Sequence, residues 1–492
     1  MKASLSAARQ ARAKHISATF RDPGGTLVHT GGEVLRVINA RGLRDLSAFM
    51  QSGVATEFMK CGDLVETTLA SPAESQQLLS DPAFRAIYTG QDGQAILRHK
   101  KVWFPSYPHE WPAEMLHAAA DLTLRLARRS LEEGLGLKDA TPYNVLFEAT
   151  KPLFVDFLSF ERRDPSDPTW MPYAQFVRTF LIPLLLNQKL GLGLERAFYA
   201  QPEGISPEEA YALTPWARRL SPRFFTLVCL PTWLNNATGP EIYRQKKLSA
   251  EKSKFVLQSL FRGLKRSVSG TEPSLSRSSS WSNYSTCNSY SDDQLNAKRD
   301  FVETALSEFH PRRVLDIGSN DGTYSRIASR KGASVVAIDT DATVVGKLWK
   351  QAQSEQLNIL PLVVNLARPT PALGWRNREY PSFLERASAS FDVVLMLAVL
   401  HHLLVSDQVP LEEVLDVAAE LTTDLVLIEF VAPDDPEFRA LTRGRGHLYA
   451  DFSLVSFENS CSRRFHVIQS RELPGSCRRL YLLRKKGSTG HA

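Results

Sequence analysis

The stretch RRVLDIGSNDGTYSRIA, residues 312–328, limits what this chain can fold into more than any other part of it. VLDI is apolar and β-branched, as a strand covered on both faces should be, and TYSRIASRKGA returns to the apolar spacing of a helix. Between them lie two glycines and little bulk. A chain that turns at the carboxyl end of a parallel strand straight into a helix needs such a turn. Gly318 supplies a backbone angle that side-chained residues avoid, and Gly322 lets a ligand or a facing element come close. ASVVAIDTD then predicts a second buried strand ending in Asp339, seventeen residues beyond Gly322. A carboxylate at that tip is placed to accept the hydroxyls of a ribose, so the cleft reads as a nucleoside site.

The acids around the turn narrow the choice of nucleoside. A dinucleotide fold calls for G-x-G-x-x-G and a helix amino terminus turned on a pyrophosphate. Here the run is GSNDG, with Asp316 before it and Asp321 inside it. Two carboxylates repel a diphosphate and suit a cationic ligand without phosphate. These residues resemble the first motif of the class I S-adenosylmethionine (SAM)-dependent methyltransferases, departing from it at the middle glycine, which is Asn320.

The resemblance continues along the chain. ILPLVVNLARPTPALGW predicts a third strand with Asn365 near the position that offers a polar group to adenine, SFDVVLMLAVLHHLL a fourth, and TTDLVLIEFVAP a fifth. RRFHVIQSRELPGSCRRLYLLRKK reads as a closing antiparallel hairpin. The implied fold is α/β, with a Rossmann-like seven-stranded methyltransferase domain over 297–486 and a short tail at 487–492. The implied cofactor is SAM, held by Asp316, Gly318, Asn320, Gly322, Asp339 and Asn365. Methyl transfer asks the protein for alignment, exclusion of water and sometimes removal of a proton. His401 and His402, at the carboxyl end of the fourth strand, are the candidates for that base. The alternative for LHHL is packing and helix capping. Glu429, His447 and Tyr449 are further candidates to touch a substrate.

Composition frames the rest. With 492 residues, 43% of them hydrophobic, the chain can build two or three domains with real cores. A net charge of +6 is mild, and its basic runs read as solvated faces, which leaves nucleic acid an unlikely partner. The five cysteines show neither C-x-x-C nor His/Cys metal spacing, so a reducing compartment and no metal are expected. The amino terminus has no continuous apolar core, and the greasiest run, FVRTFLIPLLLNQKLGLGL, is broken by Arg178, Pro183, Asn187 and Lys189. A cytoplasmic chain without a membrane span is therefore expected.

Serine enrichment divides the chain. Residues 251–296 read as a basic, Ser-rich linker or lid, in which Trp281, Tyr284 and Tyr290 are aromatics able to fold over the cleft. The first 250 residues predict an α+β domain: a hairpin around DPGG and TGG, then a long amphipathic helix after Pro112. LKDATPYNVLFEATKPLFVDFLSFE follows. Its Asp139, Asn144 and Asp156 faintly resemble the catalytic loop and metal-binding aspartate of kinase-like phosphotransferases. The segment departs from that pattern before Asp139, after Phe157, and in having no glycine-rich loop with a strand lysine. A pseudo-kinase-like or substrate-presenting platform is the expectation, with structural roles for the three residues. The layout as a whole is similar to a bacterial group of large methyltransferases that includes a rhizobial protein tied to host-specific nodulation. That resemblance implies a small-molecule or carbohydrate acceptor, such as a lipo-oligosaccharide. The other function class is a SAM-binding regulatory protein without turnover.

Overall fold

The computed structural model describes residues 22–30, 32–80, 84, 93–235, 247–273 and 290–488. Trp281 and Tyr284 lie outside the described residues. Near the amino terminus, β1 (Gly25–Thr30) and β2 (Glu33–Asn39) form the expected antiparallel hairpin, in register from Gly25 opposite Ile38 to Thr30 opposite Glu33. With β3 (Thr67–Leu69) and β4 (Gly93–His99) they make a sheet of order β1-β2-β4-β3.

Helix α1 (Ala113–Glu132) starts directly after Pro112, whose fixed φ suits a helix entry. It buries Met115, Leu116, Ala119, Ala120 and Leu124 along one stripe. Four short strands follow: β5 (Leu135–Leu137), β6 (Val145–Glu148), β7 (Lys151–Phe154) and β8 (Phe160–Arg162). They pair as two antiparallel ribbons, β5 with β8 and β6 with β7. The loop that carries Asp139 and Asn144 joins β5 to β6, and Asp156 follows β7 directly.

The segment expected as a linker contains a helix and the start of another. Ala250–Ser269 is a helix, α2, whose Leu257, Phe261, Leu264 and Val268 are buried at spacings of three and four residues. That stripe packs against α1, where His117 contacts the Val268 carbonyl, and against Trp170, which meets Phe261 edge-on. The high Ser, Lys and Arg content of this stretch occupies the helix's solvent face, which is why it read as a linker.

The carboxyl-terminal sheet is built from β9 (Arg313–Ile317), β10 (Ser334–Asp339), β11 (Ile359–Val363), β12 (Phe391–Met396), β13 (Thr422–Val431), β14 (Phe465–Glu472) and β15 (Arg478–Lys485). Its order is β11-β10-β9-β12-β13-β15-β14. The first five strands run parallel, and β15 closes antiparallel to both β13 and β14. Parallel strands covered on both faces read as continuous apolar runs, as VLDI, VVAID and FDVVLM do. The helices that position the site are α3 (Asp292–Phe309), α4 (Thr323–Arg330) and α5 (Ala342–Ser354). Strand order reverses between β9 and β12. Crevices in open α/β sheets form at that switch point, beyond the carboxyl ends of the strands.

The two halves share a core. A single apolar cluster runs from Phe104 and Leu116 into Phe383 and Phe391. Residues 103–111 cross the face of the second sheet: Trp103 and Phe104 lie against Phe391, and Phe104 against Phe383. Within this seam the Glu110 carboxylate, wholly buried, pairs with Arg386 and accepts a 2.6 Å hydrogen bond from Thr370 Oγ1. The Arg386 guanidinium also donates to the Pro105 carbonyl at 2.5 Å and lies over the rings of Phe104, Tyr107 and Phe383. Nothing in the separate periodicities of the two halves announces this seam.

Candidate active site

The glycine turn has the expected backbone, for reasons partly different from those read in the sequence. Gly318 and Gly322 have φ of +70° and +73°, and Asn320 between them has φ of +46°. Asparagine tolerates that region better than most residues, which accounts for Asn320 at the middle position. A Cβ on Gly318 would come within 2.4 Å of Val399, and one on Gly322 within 2.2 Å of Leu348. The room left by both glycines is therefore filled by the protein itself. Gly318 N–H and Ser319 N–H donate to the Ile338 carbonyl at 2.9 and 3.0 Å, fastening the turn to the end of β10.

Three acids converge there. Asp316 is buried and accepts a 2.5 Å hydrogen bond from Ser325 Oγ in the first turn of α4. Burial, reinforced by the neighbouring Asp339 and Asp321 charges against the opposing Ser325 bond, pushes its pKa up to about 6. Asp339 is raised as well, burial outweighing the N–H groups that bond it. Its Oδ2 accepts from Asn320 N–H at 3.0 Å and its Oδ1 from Asp341 N–H at 2.9 Å. Each oxygen keeps a further lone pair for an incoming hydroxyl. Asp321 caps α4 through Thr323 N–H and Oγ1. Asn365 Oδ1 accepts from Ala367 N–H at 2.8 Å, holding the turn that leaves β11.

A second cluster faces the end of β13. Glu429, fully buried, lies 2.7 Å from Lys298 Nζ on α3 and accepts a 2.6 Å bond from Tyr290 Oη. Arg478 of β15 binds Asp435 through Nε at 2.7 Å and Nη2 at 3.0 Å, and its guanidinium lies over the Tyr290 ring. Two acids and two bases balance in this cluster. It ties the entry to α3 onto the sheet, so Glu429 is engaged by the protein's own cations. Lys298 and Arg478 were missed in the sequence. The signal was present: Lys298 occupies the apolar stripe completed by Phe301, Val302 and Ala305, and Arg478 alternates inward with Leu480 and Leu482.

The histidines diverge. His401 is 1% exposed, and neither ring nitrogen has a hydrogen-bond partner among the described residues. Burial first, then the nearby charges of His402, Arg478 and Lys298, drop its pKa to about 2. His401 is therefore neutral across the physiological range. The His402 ring centroid lies 4.3 Å away; its pKa is also lowered by burial, but Glu437 and Asp407 pull in the other direction. Tyr449 Oη donates to the Leu404 carbonyl at 3.2 Å, while His447 is exposed and stands apart from the buried groups.

The residues fit a bound SAM. Ser319 Oγ, Asp341 Oδ2 and both His401 nitrogens are buried without a hydrogen-bond partner among the described residues, all beyond the carboxyl ends of β9, β10 and β12. Buried polar atoms are seldom left unsatisfied unless something else meets them.

In the first half, Asp156 Oδ1 pairs with Arg36 at 2.7 Å, and its Oδ2 accepts from Ser159 Oγ at 2.6 Å. Asn144 Nδ2 donates to that same Ser159 Oγ at 3.1 Å, and Asp22 shares Arg36 at 3.2 Å. Burial raises the Asp156 pKa, but Arg36 and the hydrogen bonds outweigh it and the net shift is downward. Asp139 stands outside this chain of bonds, contacting Gln175, and burial raises its pKa. No group of three or more potential metal ligands is found among the described residues.

Comparison with known proteins agrees with the geometry. Residues 290–477 match the family described as "Methyltransferase domain". The chain is 28% identical over 482 residues to the nodulation protein NoeA of Rhizobium meliloti (strain 1021), covering 96% of each. Among solved structures, magnesium protoporphyrin IX methyltransferase (ChlM) from Synechocystis PCC 6803, with bound S-adenosylhomocysteine (SAH), aligns at 18% identity over 39% of this chain and 85% of that one, TM-score 0.29. The N-methyltransferase NodS from Bradyrhizobium japonicum WM9 aligns at 13% identity over 40% of this chain and 99% of that one, TM-score 0.30. No described helix is long and apolar enough to cross a membrane. Residues 290–477 are thus similar to a methyltransferase domain, and the chain along nearly its whole length to a nodulation protein.

Proposed function

We propose that the chain transfers the methyl group of SAM to a carbohydrate-containing small molecule, a lipo-oligosaccharide being the favoured class. The observation that supports the acceptor class is the relationship to a nodulation protein along nearly the whole chain, leading region included. In this reading Asp339 takes the ribose hydroxyls, Asn365 lies beside the adenine, and the Gly318–Gly322 turn carries the amino-acid end, with Asp316 supplying negative charge. Bound there, SAM supplies an activated methyl on a cationic sulfur; the protein supplies alignment and a dry site. His401, permanently neutral, accepts or donates a hydrogen bond to orient the acceptor. His402 is the better base, because its carboxylate neighbours favour the protonated ring. Residues 1–250 present the acceptor.

The test is methyl transfer from SAM labelled in the methyl carbon to separated cell fractions. Label is expected in a carbohydrate-containing fraction, and replacing His402 with Ala should lower kcat with little change in SAM affinity. Label confined to protein or nucleic acid would defeat the acceptor class.

A further inference from the structure

Residues 207–235 carry an exposed surface and none of the residues assigned to SAM or to the base. Among large apolar side chains, Trp216 is 75% exposed, Leu220 76% and Trp233 51%, with Leu213, Phe225 and Leu234 exposed beside them. Four of its side chains touch in a row. Arg219 lies 3.8 Å over the Tyr211 ring, Tyr211 meets Trp233 edge-on, and Trp233 meets Phe225 in the same way. Pro207, Pro215 and Pro222 each start a helical piece, the last of which runs unbroken from Pro222 to Asn235.

Charge selects the occupant. From Ala210 to Asn235 the sequence holds three arginines, Arg218, Arg219 and Arg223, and no acid; Glu208 and Glu209 lie at the far end of the preceding helix. Each arginine spends its hydrogen bonds on a backbone carbonyl: Arg218 on Lys189, Arg219 on Thr214, Arg223 on Gly270. None forms an ion pair among the described residues, so their positive charge stays uncompensated at the rim of the apolar tips. Tryptophan and leucine tips edged by unpaired arginines suit the boundary of an anionic bilayer, where indole rings sit at headgroup depth and cations meet phosphate.

We propose that this face docks the protein on anionic lipid, lying on the membrane surface without crossing it. The proposal does not depend on which acceptor is methylated. It is tested by co-sedimenting the full chain with phosphatidylcholine vesicles, with and without phosphatidylglycerol. Partition should be clearly stronger on the anionic vesicles and should fall with added salt. The double change Trp216→Ser with Leu220→Ser should lower it roughly tenfold or more. Arg218→Gln with Arg223→Gln should lower it by about thirtyfold, at unchanged melting temperature. All four side chains are exposed, so the fold should survive either pair of changes. Wild-type protein that stays in the supernatant, or variants that bind as it does, would overturn the proposal. So would self-association of the chain abolished by the Trp216 and Leu220 changes, which would make the face a contact between copies.

Discussion

A carboxyl group held near pKa 6 beside the proposed SAM site makes the first prediction. Asp316 is neutral more often in the folded chain than in the unfolded one between about pH 4 and 6. The native state therefore binds the extra proton, and stability without ligand falls as pH rises through that window. A positively charged ligand reverses the preference by favouring the carboxylate. Affinity for SAM should accordingly strengthen as pH rises, by about tenfold between pH 5 and pH 7. Asp316→Asn should flatten the profile, and a profile equally steep in that variant would show that another group is responsible. His401 gives the opposite expectation. With its pKa near 2, it contributes no break to a kcat profile between about pH 5 and 9, and any break there belongs to His402 or to the acceptor.

At the scale of the element, Arg36 on β2 does for Asp156 what a metal ion would do in a kinase-like site. The pair, with Ser159 and Asn144 behind it, is closed by bonds within the protein. Removing the Asp156 charge leaves the buried Arg36 with Asp22 as its one remaining carboxylate partner among the described residues, so Asp156→Asn should cost roughly 1 to 3 kcal/mol. Because the net Asp156 pKa is lowered, its contribution is complete at neutral pH and is lost as the pH falls below about 4. Magnesium with ATP should leave the melting temperature of the wild-type chain unchanged. A rise lost on Asp156→Asn would instead make this a working nucleotide site. The sequence displayed the three polar residues but not the arginine that engages one of them, since Arg36 lies 120 positions from Asp156.

For the whole molecule, the parallel strands, the glycine turn and the closing hairpin were legible because each is a local pattern: an apolar run, a positive φ, an antiparallel repeat. The seam between the halves was not. Trp103, Phe104 and Glu110 read as an irregular stretch between a strand and a helix, and their partners Thr370, Phe383, Arg386 and Phe391 lie more than 250 positions away. The helix at 250–269 was hidden for a related reason, its serine and basic residues masking an apolar stripe that only α1 completes. Since Thr370 and Arg386 lie on the segment between β11 and β12, the seam also supports the adenine side of the proposed site. Breaking a buried pair by removing one partner costs about 3 to 5 kcal/mol. Glu110→Ala should therefore lower the melting temperature and weaken SAM binding together. Residues 290–488 expressed alone should aggregate, the apolar face around Phe383 and Phe391 being bare. A monomeric, SAM-binding fragment would show that the seam is dispensable.

The central claim, that the turn from Asp316 to Gly322 together with Asp339 holds SAM, is tested most directly by calorimetric titration of the full chain with SAM and with SAH. Micromolar affinity is expected for both, about 7 to 8 kcal/mol of binding free energy, because most contacts fall on the adenosine and amino-acid portions they share. Asp339→Ala should weaken the two ligands by the same factor while leaving the melting temperature of the free protein within a few degrees. Folded protein that gives no heat with either ligand, or an Asp339→Ala variant that binds both as tightly as the wild type, would contradict the account.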